Sequence, residues 1–131
     1  MDPIVLDGYD GGGPGAAAGL QTEDLNITVV AWPEHYGVDA HVNDQVDVVS
    51  VVLSGVGVAT IDGTDHPLSL GTILVIPKGA TRSIRSMSVD FRYVNVHKRK
   101  RALMPRIDKA RIADILGLSI AAQPKLGFDL R

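Results

Sequence analysis

The side chains in this chain with chemistry to offer are four imidazoles, an arginine that closes a turn-rich segment, and one short basic run. His41 opens the stretch HVNDQVDVVSVVLSG, which runs to Gly55, and Arg82 closes GTILVIPKGATR, which starts at Gly71. An unperturbed imidazole titrates near neutral pH, so His41 is a candidate general acid or base, although no partner that would tune it can be named. Arg82 carries a permanent charge on a planar fork of donors. Tyr93, Asn95 and His97 alternate with Val94 and Val96, which makes one face of that strand polar. If that face looks inward, His97 joins a ligand site; if it looks outward, the commoner case for an outer strand, the polar groups are simply solvated. His35, in a loop, and His66, beside Pro67, are weaker candidates. Lys98 to Arg101 (KRKR) has the composition of a phosphate-binding patch, but a basic stretch after a final strand is more often a solvated linker.

Composition removes several classes of function. Thirteen Lys and Arg against fifteen Asp and Glu give a formal net charge of -2, so no whole-chain field draws in nucleic acid or an anionic membrane. There is no cysteine, which excludes disulfides, zinc thiolates and thiol nucleophiles and fits a reducing, cytoplasmic setting. The opening MDPIVLDGYD lacks the basic start and apolar core of a signal peptide, and the apolar runs are too short to span a bilayer. At 131 residues and 45% hydrophobic content, the chain supports one domain with a modest core.

The elements that must position these groups are short strands. GYDGGGPGAAAG, from Gly8 to Gly19, is read as part of a flexible leader over residues 1–19, because glycine loses much backbone entropy on ordering. The folded domain is expected over residues 20–97. Leu25 to Trp32 is β-branched, Val46 to Leu53 is a nearly continuous apolar strand, and Val58 to Leu70 reads as a hairpin about Asp62-Gly63, a type I′ turn pair. Pro67 marks an edge or a bulge. Gly71 to Ile76, Thr81 to Met87 and Val89 to His97 supply three more strands. Such an array predicts an all-β chain forming a small antiparallel barrel or jelly roll. Residues 98–131 are expected to form a basic linker, a short C-terminal α-helix and an arm, with Ile112, Ile115 and Leu116 on one helix face and Gly117 ending it.

The two stretches that begin at His41 and Gly71 resemble the paired motifs of the cupin superfamily. Gly71, Pro77 and Gly79 match the second motif, and His41 and Gly55 hold their places in the first. The resemblance covers Leu25 to His97 and implies a double-stranded β-helix barrel, with pairing into a homodimer through its sheets. It also implies a divalent metal, such as iron, manganese, nickel or zinc, on three histidines and a glutamate. Here Asn43 and Val48 replace a His and the Glu, and Arg82 replaces the His of the second motif. Asn43 offers only a neutral carbonyl, Val48 offers nothing, and Arg82 repels a cation. Moving Asp47 into the Glu position would need a one-residue slip, which reverses the face of every neighbour.

On that resemblance the expected function is a small-molecule-binding barrel without the usual metal or other cofactor, its pocket suited to an anionic or polar organic ligand. His41, Asn43, Ser50, Arg82 and His97 are the expected ligand-binding residues, with Arg82 as anchor. The bland alternative has Arg82 pointing outward or paired with Asp44 or Asp47, and His41 as a satisfied rim residue. Two further readings stay open: a metal-dependent enzyme with an altered ligand set, such as His41 with His97 and an Asp, and a regulatory or interaction module using the basic run and C-terminal helix. IADILGLSIAAQP resembles the start of a helix-turn-helix, but Pro124 would cut off its second helix, which argues against DNA.

Overall fold

The computed structural model describes residues 2–100. They form nine strands: β1 Gly15–Gln21, β2 Leu25–Trp32, β3 Gly37–Val42, β4 Val48–Ser54, β5 Gly57–Ile61, β6 Thr64–Leu68, β7 Ile73–Ile76, β8 Thr81–Ser86 and β9 Phe91–Lys98. Two antiparallel sheets result, one of five strands in the order β1-β2-β9-β4-β7 and one of four in the order β3-β8-β5-β6. The expected helix and C-terminal arm lie outside the described residues, as does Arg101 of the basic run.

Turn chemistry explains why the chain reverses where it does. Asp62 (φ 48°) and Gly63 (φ 86°) both take the positive φ of a type I′ turn, joining β5 to β6. Pro67 is tolerated because β6 is an edge strand, where one row of backbone donors has no ladder to serve. Between the sheets, Phe91 and Tyr93 pack at 5.3 Å between ring centroids, against Val30, Trp32, Val52, Ala59 and Ile84. Gly57 gives this core its room, since a Cβ there would lie 2.6 Å from two atoms of the Phe91 ring.

The glycine-rich leader corrects the sequence expectation. The barrel gains a strand before residue 20: Gly15 to Gln21 pairs antiparallel with β2. These glycines serve close approach rather than freedom. A Cβ on Gly13 would collide with the carbonyl of Ala31, and one on Gly11 with the carbonyl of Ala17. The Arg92 guanidinium then ties the preceding turn down, donating to the carbonyls of Gly8 (3.3 Å), Asp10 (3.1 Å) and Gly11 (2.5 Å). Backbone pairing and these charge-assisted bonds offset the ordering entropy that glycine otherwise costs.

Strand parity sets the two faces of the larger sheet. Ser50 and Asn95 are register partners that look toward the smaller sheet, as does Tyr93. The alternate residues face away, and register puts Val75, Val49 and Val96 in one row and Ile73, Val51 and Val94 in the next. At the β7 edge this aliphatic block is open to solvent, with Ile73 67% and Val75 58% exposed.

Candidate functional site

The two motif stretches are clasped by backbone hydrogen bonds before any ligand is considered. The Gly79 N–H donates to the Asn43 carbonyl at 2.7 Å, and the Lys78 N–H donates to Asp47 Oδ1 at 2.9 Å. Gly79 can make this turn because it holds φ 90°. Asn43 is buried, and its Oδ1 accepts from the N–H groups of Gln45 (2.9 Å) and Val46 (3.3 Å). It therefore organises the loop that leads into β4.

With that loop fixed, strands of both sheets enclose a cavity of about 40 Å³. His41 on β3 and Arg82 on β8 are direct register partners on one wall, beside Val38 and Ile84. The opposite wall carries Val48, Ser50 and Ile76, and then Tyr93, Asn95 and His97, the inward residues of β9. Arg82 is only 4% exposed. Its Nε donates to the Ala80 carbonyl at 3.1 Å and one terminal nitrogen donates to the Pro77 carbonyl at 3.2 Å. Two neutral acceptors thus fix the fork at the cavity wall.

The remaining polar groups are held by second partners. Ser50 Oγ donates to Asn95 Oδ1 at 2.5 Å, and the Trp32 indole N–H donates to the Tyr93 hydroxyl at 3.1 Å. His41 Nδ1 lies 2.9 Å from the Asp39 carbonyl, and His97 Nδ1 lies 2.8 Å from the Lys98 carbonyl. A carbonyl can only accept, so Nδ1 is the donor in each of these two contacts.

Of the five expected ligand-binding residues, His41, Ser50, Arg82 and His97 line one cavity, while Asn43 does not. Asn43 sits on its own loop for a local reason, its side chain satisfying two nearby backbone N–H groups. Arg82 does not point outward, and the Asp47 carboxylate is engaged with Lys78 on the exposed loop. Tyr93 and Asn95 join the lining. Their alternation with Val94 and Val96 is the signal that marks them, although alternation cannot say which face looks inward.

The residues present do not fit the metal that this fold commonly carries. Of the four ligand positions only His41 keeps its donor: Asn43 is spent on its loop, Val48 puts an isopropyl group in the wall, and Arg82 puts a guanidinium there. Among the described residues no three His, Cys, Asp or Glu side chains come together.

Two twisted antiparallel sheets closing on a cavity between them define a cupin-type jelly roll, and comparison with solved structures agrees. KdgF from Halomonas sp. superposes with a TM-score of 0.59 at 20% identity, covering 66% of this chain and 76% of that one. A cupin protein from Bacteroides fragilis gives 0.60 at 20% identity, over 82% and 90% of the two chains. The cupin domain of Schizosaccharomyces pombe Cnp3 gives 0.59 at 19% identity, over 63% of each chain, which is less than two thirds of that domain. The chain has the cupin fold. No protein-family model matches it, and no curated protein does.

Proposed function

We propose that this chain is a small-molecule-binding cupin domain whose cavity takes an anionic or polar organic ligand, anchored on Arg82. One observation carries the reading: a guanidinium that is 4% exposed stands in the wall of an interior cavity, at the position where the related motif holds a metal ligand. Burying a charge is costly, and a fixed planar fork in a low-dielectric cavity strengthens its bonds to a carboxylate or phosphate. A cavity of about 40 Å³ suits a compact ligand, or the acidic end of a longer one. The test is a comparison of acetate with acetamide, which has the same shape and no charge, by NMR titration at fixed ionic strength. Acetate is expected to shift cavity resonances and to bind at least about tenfold more tightly, roughly 1.4 kcal/mol. Equal affinity for the two refutes the anionic ligand and leaves a neutral polar one, and binding of neither defeats the proposal.

A second reading has one observation in its favour. Histidines that ligate metals usually donate their other ring nitrogen to a carbonyl or carboxylate, as the Nδ1 atoms of His41 and His97 do here. Two imidazoles beside a guanidinium are a poor cation site, so we rank it below anion binding.

We also propose that two copies pair through the outer face of the five-stranded sheet, in a cytoplasmic setting consistent with the lack of cysteine. The exposed edge residues Ile73 and Val75, continued inward by Val51 and Val49, support such pairing. Among the described residues no helix is long and apolar enough to cross a membrane.

A further inference from the structure

One polar group of the cavity wall has one end bonded and the other open. Ser50 on β4 and Asn95 on β9 are direct register partners, and both line the cavity. We propose, resting on the anion-binding reading above, that the Asn95 side-chain amide is a second ligand-binding group that donates to the bound anion. Ser50 is the positioning residue that turns the amide that way.

The length of the Ser50–Asn95 bond tells which end of the amide is taken. Ser50 Oγ lies 2.5 Å from Asn95 Oδ1. That separation suits an O–H···O bond and is too short for N–H···O, whose heavy atoms stay about 2.7–3.2 Å apart. The hydroxyl therefore donates and the carbonyl end of the amide accepts. Because Ser50 is only 3% exposed, solvent does not compete for its hydroxyl. The end of Asn95 left for a ligand is the NH₂, which has two hydrogens to give and no hydrogen-bond partner among the described residues. Around it stand the aliphatic Val38, Val48, Ile76 and Ile84. A donor in such surroundings costs free energy unless an acceptor is bound beside it. Carboxylate oxygens only accept, so they match the NH₂; a flipped amide would set its carbonyl against them, lone pair to lone pair. By holding Oδ1, Ser50 disfavours that flip.

The test follows the Asn95 side-chain ¹H–¹⁵N signals of the whole chain during titration with acetate. It then repeats the titration on Ser50→Ala, on Ser50→Thr, and on Ser50→Ala combined with Asn95→Val. In the original chain the NH₂ signals are expected to move with the same midpoint as the backbone signals of the cavity. The double variant replaces both partners with apolar groups, strands no buried hydroxyl, and should bind acetate at least about tenfold more weakly. Ser50→Ala frees the amide to turn either end inward and should weaken acetate at least about twofold, whereas Ser50→Thr keeps the hydroxyl and should not. NH₂ signals that stay still at saturating acetate, as they would if water alone satisfied the amide, overturn the role of Asn95 and leave the anion reading standing. So does a folded double variant that falls short of the expected loss. Unchanged affinity in Ser50→Ala, or a loss that Ser50→Thr shares, overturns the role of Ser50. If the original chain binds no acetate, both readings fall. Should the variants fail to fold, the NH₂ signals of the unaltered chain decide the matter.

Discussion

Replacing Arg82 with methionine separates a binding role from a structural one. The substitution keeps an unbranched stem of similar reach and removes the guanidinium. In the unliganded protein the loss is small. Both the Ala80 and the Pro77 carbonyl lose their bond to Arg82, but the Pro77 carbonyl keeps the Ala80 N–H as a partner at 3.2 Å. Relief of a buried charge offsets that loss, so stability should change by no more than about 1 kcal/mol in either direction. Ligand binding should suffer far more. Hydrogen bonds to charged groups are worth about 1.5–3 kcal/mol, and at about 1.4 kcal/mol per decade the variant should bind acetate about 10- to 100-fold more weakly. Arg82→Lys keeps the charge but not the two-pronged geometry and should fall between. The assay is calorimetric or NMR titration with acetate, paired with chemical denaturation of the same samples. An Arg82→Met protein that folds normally and binds acetate as the original does would refute the role assigned to the guanidinium.

Three further outcomes follow from particular contacts. Asn43→Ala should cost about 1–2 kcal/mol in denaturant midpoint analysis by stranding the Gln45 and Val46 N–H groups, with ligand affinity of the folded protein unchanged. A large loss of affinity at full stability would return Asn43 to the site. Gly57→Ala pushes a methyl to 2.6 Å from the Phe91 ring and 2.8 Å from the Arg85 carbonyl, and should destabilise by about 1–3 kcal/mol in thermal or urea unfolding. Ile73→Lys combined with Val75→Lys should give a monomer in light scattering where the original chain is a dimer; a monomer before the change, or a dimer after it, contradicts pairing through that face.

How much of this was legible beforehand differs from residue to residue. The barrel was, because Asp62-Gly63, Gly71, Pro77 and Gly79 are residues whose backbone preferences admit few alternatives to a turn. The orientation of β9 was not, since the alternation of Tyr93, Asn95 and His97 with valines reads the same whichever set faces inward; only pairing with Ser50 and Val30 decides it. Asn43 stood at a ligand position, and nothing in the sequence weighs a cavity against two backbone donors a few residues away. The leader shows the same limit. A glycine chosen for freedom and a glycine chosen for contact look alike until the strand it touches is known, as Gly13 against Ala31 illustrates.

Anomalous diffraction from crystals soaked in bromide tests the central claim most directly, because one data set locates both anions and transition metals. A bromide peak inside the cavity within hydrogen-bonding reach of the Arg82 guanidinium is the predicted result. A cavity without bromide at saturating concentration, or a metal peak shared by His41 and His97 in crystals grown without chelator, would contradict it.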